Sequence, residues 1–392
     1  MEMKRALCRL GATLLIGSVS VLQAASPREV LSLDGPWVYQ KDPDGSGEKR
    51  RLYNPAAART GWGKMTIPTN WYLTEVGDYH GVIWFAREFG LPKGAQGKEC
   101  FLRFNAVDYI ADVWINGTYL GRHEGIFAPF EFRVTDHLKA GANVVVAKVN
   151  SPKDPSPYRL VSDGMPFLTD PYRTMRPIAL TTIKGSMIDH WHRPGWQTQF
   201  GQDGNSGGIW QGVQLISTGT LSIKNVRITP KLVRKKLVRD GTALLTVDVE
   251  VLNSSNETVS ATISTDATGK NFQSTEELKR SRRFALTPGL NKLTMVQTVN
   301  SPVLWWSWDL GKPNLYQMRV TVAIDRAHDE VVETFGIREI ELTPRSEWVL
   351  NGKRVFARGM RYHSSIWLAE PNREQFLEDL NRMRALHINA IR

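Results

Sequence analysis

Residues 335–392 read FGIREIELTPRSEWVLNGKRVFARGMRYHSSIWLAEPNREQFLEDLNRMRALHINAIR, and the hydrophobic period changes inside this stretch. Upstream, apolar residues recur in twos and in short runs, as in strands; here they pass to a helical spacing. Trp348, Val349 and Leu350 lead into Asn351-Gly352, and Val355, Phe356 and Ala357 follow. Asn-Gly predicts a two-residue hairpin, because both central residues of a type I′ turn need positive φ. The run 355–359 reads as a short strand buried on both faces, as parallel strands are. Pro371 and Asn372 open a helix, with Asn372 as N-cap and Gln375 at the capping-box position. Phe376, Leu377, Leu380, Met383 and Leu386 share one face of that helix, expected over 373–386. Residues 388–391 begin a second buried strand, so strand, helix and strand make one βαβ unit.

Working outward, 219–342 reads as an immunoglobulin-like β-sandwich of short, regular strands. Leu245, Val247, Val249 and Val251 alternate onto one face, and 293–299 and 318–324 supply further strands. Near its end, Leu304-Trp305-Trp306 and Trp308 precede Gly311, Leu315 and Tyr316; tryptophans so placed are expected to pack at a domain boundary. Glu276-Glu277 lies against a charge run and does not read as an acid/base pair. Further out, 26–218 is all-β. The runs 101–104, 110–115 and 144–149 are rich in strand formers, and Asn116-Gly117 closes a hairpin. Trp37, Trp84 and Trp114 read as core packing rather than as an exposed stacking platform. The segment 151–208 differs, being long, irregular and rich in Pro, Gly, His and Trp; a loop of that length is usually functional. His190 and His192 do not read as a metal pair, since alternate strand residues point to opposite faces.

The chain resembles the family 2 glycoside hydrolases, which include β-galactosidases, β-glucuronidases and β-mannosidases. Carrying the resemblance are Phe335-Gly336-Ile337-Arg338, Asn351-Gly352-Lys353, Arg358-Gly359 followed by His363, and Ile388-Asn389-Ala390-Ile391-Arg392. Leu33-Asp34-Gly35-Pro36-Trp37, Val113-Trp114-Ile115-Asn116-Gly117 and the 304–316 tryptophan signature extend it over nearly the whole chain. The resemblance implies a mostly β chain: a jelly-roll sugar-binding domain (26–218), the immunoglobulin-like sandwich (219–342), and the start of a (β/α)8 barrel (343–392), truncated in its second strand. A retaining exo-β-glycosidase is implied, whose two carboxylates come from later barrel strands. The resemblance therefore puts no catalytic carboxylate in this chain and predicts the chain alone to be inactive. It does imply three substrate-binding residues: Asp203 on the long loop, His363 after the first barrel strand, and Arg392 at the end of the second. Working residues of such barrels project from the C-terminal strand ends.

On the sugar the signals divide. The His363 motif and Asn389-Ala390-Ile391-Arg392 lean to galactosidases and glucuronidases, and the Leu304-Trp305-Trp306 signature to mannosidases. Gln202 stands where mannosidases carry Trp, and Arg361 where galactosidases usually carry Asn. A reading of another class is a non-catalytic carbohydrate-binding module.

Composition bounds the rest. The 392 residues give room for two or three domains and carry a formal charge of +11. Lys4, Arg5 and Arg9, the apolar run 10–21 and Ala24-Ala25 have the layout of a signal peptide over 1–25. Export to the periplasm or the outside of a bacterial cell follows. Removing 1–25 takes away three cations and Glu2, leaving +9. The remaining basic residues are dispersed apart from 234–236 and 279–283, which reads as solvated surface and not as a nucleic-acid site. Past the leader no run is long enough to span a bilayer, and Cys100, the one cysteine left, makes no internal disulfide. The sequons at Asn116, Asn253 and Asn256 read as turns. The expected partner is a carbohydrate substrate, with no cofactor, metal or membrane; oligomerisation is compatible with the pattern.

Overall fold

A computed structural model describes residues 28–152, 206–233, 241–274, 276–324, 327–362, 369 and 372–392. The expected leader (1–25), Asp203 and His363 lie outside them. The described chain forms two β-sandwiches followed by a small hairpin sheet and a strand-helix-strand unit.

The N-terminal sandwich packs a six-stranded antiparallel sheet on a four-stranded one. The first runs Gly63–Ile67, Gly35–Asp42, Gly81–Gly90, Ala142–Ser151, Ile110–Ile115, Thr118–Glu124; the second Glu29–Ser32, Val213–Thr218, Glu99–Phe104, Phe130–Arg133. Alternation explains the central strand Gly81–Gly90. Ile83 and Phe85 enter the core between the sheets, while Trp84 and Ala86 point the other way into a second apolar cluster with Leu52 and Trp114. Both faces are covered, so the strand tolerates apolar residues at successive positions. Trp37, Trp71 and Trp84 are all fully buried, as core packing predicts. The hairpin at Asn116-Gly117 forms with φ of 51° and 87°.

The second sandwich has sheets of three strands (Leu221–Val233, Thr242–Asn253, Gly289–Val299) and four (Leu278–Leu286, Val259–Gly269, Tyr316–Ile324, Ala327–Phe335). Leu245, Val247, Val249 and Val251 are completely buried on its inner face, matching the expected alternation. The two sandwiches meet through a buried clamp. Asp329 accepts from Arg28 Nε (2.8 Å), Arg28 Nη2 (2.6 Å) and the Ile223 N–H (2.7 Å). Beside it Lys224 pairs with Glu131 at 2.8 Å and lies over the Phe101 ring. Burial depresses the Lys224 pKa, against the opposing pull of Glu131.

Past Phe335, Ile340–Leu342, Trp348–Leu350 and Lys353–Val355 form an antiparallel sheet whose Asn351-Gly352 turn has φ of 49° and 80°. Gly359–Met360 then pairs in parallel with Ala390–Ile391, and helix α1 (Arg373–Ala385) connects them. The Asn372 side chain accepts from the Gln375 N–H at 2.9 Å, the cap expected there. Two expectations need correction. The strand expected over 355–359 is split: Val355 ends the hairpin, Phe356 is 78% exposed, and ladder pairing resumes only at Gly359. Residues 356–358 belong to neither ladder, and the Arg358 guanidinium bonds Asp309 and the His387 carbonyl. The second buried strand expected over 388–391 is only Ala390–Ile391, with Ile391 47% exposed. The apolar face of α1 is largely open. Met383 is buried, whereas Phe376, Leu377, Leu380 and Leu386 stay 40–71% exposed among the described residues.

Candidate functional site

The candidate site lies where the second sandwich meets the parallel strand pair. A cavity of about 670 Å³ opens there, floored by Trp305, Trp348 and Leu350 and walled by both parallel strands. Three guanidinium-bearing residues, Arg338, Arg361 and Arg392, line it, and no described lining residue is a carboxylate. It therefore has cations and apolar surface for holding a ligand, but no pair for acid/base or nucleophilic work.

Each element arrives for a local reason. The tryptophan segment 304–309 crosses from the second sandwich to the parallel pair. Trp305 donates its N–H to the Ile337 carbonyl (2.9 Å), and its own carbonyl accepts from Asn351 Nδ2 (2.9 Å). Arg338 stacks over Trp305 with 4.5 Å to the ring centroid, and Lys353 over Trp306 at 4.9 Å. Gly336 suits this packing, because a Cβ there would meet Trp305 side-chain atoms at 3.1 Å and crowd the indole. Trp308 Nε1 donates to the Ile388 carbonyl (2.9 Å), with Arg384 of α1 over its ring. The tryptophans do pack between the sandwich and the strand-helix-strand unit.

At the centre of this contact is Asp309. Its Oδ2 accepts from Arg358 Nη2 (2.8 Å) and Asn389 Nδ2 (2.7 Å), and its Oδ1 from Ser307 Oγ (2.7 Å). Burial pushes the Asp309 carboxyl up, but the bonds from Ser307, Asn389 and Arg358 together outweigh it and hold the pKa below the ordinary carboxylate value. Sequence reasoning did not single out Asp309. The available signal was the placement of Arg358 and Asn389, each immediately before the glycine or alanine that opens a strand of the parallel pair.

Arg392 directly follows the second parallel strand, Ala390–Ile391. Its N–H donates to the Met360 carbonyl and its carbonyl accepts from the Tyr362 N–H, both at 3.0 Å. Its side chain is exposed, and no ion pair to it occurs among the described residues. Arg361 shares the cavity. Asp203 and His363 lie outside the described residues; the chain is described again from Ser206, on the N-terminal sandwich and not at this cavity. Ser151 Oγ donates to the Ser206 carbonyl (2.8 Å), and Asn70 bonds Ser206 Oγ and the Gly207 N–H. Gly207 lies flat on Trp71; a Cβ there would come within 2.3 Å of the indole. No group of side chains able to hold a metal ion occurs among the described residues. None of their helices is long and apolar enough to cross a membrane, which says nothing of β-barrels.

Two β-sandwiches joined to a parallel strand-helix-strand unit define a modular architecture of several domains, and the comparisons narrow it. Residues 30–167 match the sugar binding domain of Glycosyl hydrolases family 2, and residues 221–338 match a second model described as Glycosyl hydrolases family 2. The chain belongs to glycosyl hydrolase family 2. It is 26% identical over 296 residues to a beta-glucuronidase of Formosa agariphila, covering 73% of this chain and 26% of that protein. It is likewise 26% identical over 387 residues to a beta-glucuronidase of Bacteroides fragilis, covering 97% of this chain and 48% of the relative. A crystal structure of a putative beta-galactosidase from Bacteroides fragilis superposes with a TM-score of 0.68 at 22% identity, over 93% of this chain and 49% of that one. The chain thus spans about a quarter to a half of the proteins it matches.

Proposed function

We propose that this chain is the N-terminal region of an exported, retaining exo-β-glycosidase acting on terminal β-glucuronides or β-galactosides. The observation that carries the reading is the parallel pair ending in Arg392, packed by the tryptophan segment of a family 2 sandwich. In this reading Gly359–Met360, α1 and Ala390–Ile391 open a (β/α)8 barrel, and the nucleophile and acid/base carboxylates come from later strands. The short share of its relatives that the chain covers supports this. Arg392, at a C-terminal strand end, would hold the nucleophile ionised and oriented. His363 and Asp203 would contact the sugar, and the names of the relatives favour an acidic or galacto-configured one. The layout of 1–25 supports export.

The test compares this chain with a longer form that carries later barrel strands, on a panel of nitrophenyl β-glycosides. Hydrolysis by the longer form, none by this chain, and a kcat on the order of 10²-fold lower in Arg392→Ala are expected. A longer form that binds these sugars but hydrolyses none of them would replace the reading with a carbohydrate-binding module.

A further inference from the structure

Parallel pairing between Gly359–Met360 and Ala390–Ile391 extends over only two residues in each strand. So short a ladder specifies its own register weakly, and a slip by one residue would carry Arg392 along the strand by about 3.3 Å and turn it to the other face. Something else must set the alignment. Gly359 stands opposite Ala390, so Arg358 and Asn389 stand opposite each other one step earlier. Those two residues share a single oxygen of Asp309. They are also cross-bonded: the Arg358 N–H donates to Asn389 Oδ1 (2.8 Å), and the Asn389 N–H to the Arg358 carbonyl (3.1 Å). Asn389 thus uses both ends of its amide, since Nδ2 also reaches the Phe356 carbonyl. A slip of either strand would take one donor off the carboxylate. The bond from Ser307 holds Asp309 in the tryptophan segment of the adjoining module, and Trp308 Nε1 ties that segment to the Ile388 carbonyl just before Asn389.

We propose that Asp309 is a positioning residue. From the second sandwich it fixes the register of the parallel pair and thereby the place of Arg392. The structural part stands by itself; its consequence for turnover rests on the glycosidase reading. The depressed pKa of Asp309 agrees with a carboxylate that stays charged while it holds two donors.

The register can be read chemically. A Cβ built on Gly359 lies 3.7 Å from the Ala390 Cβ, close to the spacing of a disulfide, about 3.8 Å. Gly359→Cys with Ala390→Cys reports the aligned state; Gly359→Cys with Ile391→Cys reports a one-residue slip. Cys100 is buried, and Cys100→Ala in every variant removes it from the exchange. With Asp309 intact the aligned pair should cross-link at least about tenfold faster than the slipped pair, a factor in keeping with loss of a hydrogen bond to a charged group. In Asp309→Ala the preference should fall to near equality, with Asp309→Asn between, because it keeps one acceptor oxygen. An unchanged preference overturns the proposal. So does an equal slowing of both pairs, which marks a residue that merely stabilises its loop. In the longer, active form Asp309→Ala should lower kcat more than it raises KM. If the register is lost but kcat holds, the link to Arg392 is wrong. If the longer form is inactive, the glycosidase reading fails and the cross-linking still decides the role of Asp309.

Discussion

Both junctions in this molecule are built on an aspartate that gathers donors from two modules, and they hold them differently. Asp329, between the sandwiches, is fully buried and receives both arms of Arg28 and a backbone N–H. Asp309, between the second sandwich and the parallel pair, is part-exposed, and its donors lie on two elements that have little ladder of their own. A carboxylate between two finished cores can contribute only to how tightly they stay together. One beside a two-residue ladder decides how its neighbours are arranged.

The largest effect should come from Asp329→Ala. It leaves the Ile223 N–H without its acceptor and the Arg28 charge with only the Ile223 carbonyl, and breaking a buried pair costs about 3–5 kcal/mol. Urea unfolding should show it as a lower midpoint; a loss under about 1 kcal/mol would make this junction no stronger than a surface ion pair. Next is Leu245→Ala in the finished core of the second sandwich, where a buried leucine should cost about 2–5 kcal/mol. The same unfolding curves measure it.

A smaller, pH-dependent effect belongs to Asp309. Its folded pKa lies below the ordinary carboxylate value, so its stabilisation is fully present above that value and is lost as pH falls through the depressed one. Arg358 is the charged group it faces. The preference for the aligned cross-link, quenched at a series of acid pH values, should decline there by an amount worth about 1–2 kcal/mol. A flat profile would mean that the neutral acid holds the register equally well. The smallest effect is expected from Leu380→Ala on α1. That side chain is 46% exposed, so the change should stay within about 0.5 kcal/mol. A loss comparable to that of Leu245→Ala would mean that α1 buries this face in solution, for example against a second copy.

The sequence made the local features legible and left the long-range ones unread. Positive φ at Asn116-Gly117 and Asn351-Gly352, the Asn372 cap and the buried alternation from Leu245 to Val251 depend on neighbours a few residues apart. A single-chain reading sees those. The run 355–359 misled because a short apolar stretch does not say where a ladder ends; the partner of Arg358 there, Asp309, is 49 residues away. The Asp309–Arg358–Asn389 cluster has no periodicity and no local spacing to announce it. Arg392 was singled out by resemblance, and the structure puts it in one cavity with Arg361, while Asp203 and His363 lie outside the described residues.

Ser151 and Ser206 touch, and the chain between them begins and ends at one point on the N-terminal sandwich. For any chain joined at two touching points, the entropy of closure grows by only about 0.6 kcal/mol for each doubling of length. The sandwich therefore works as a socket: in closure entropy alone, a longer or shorter link between Ser151 and Ser206 would change the host's stability little.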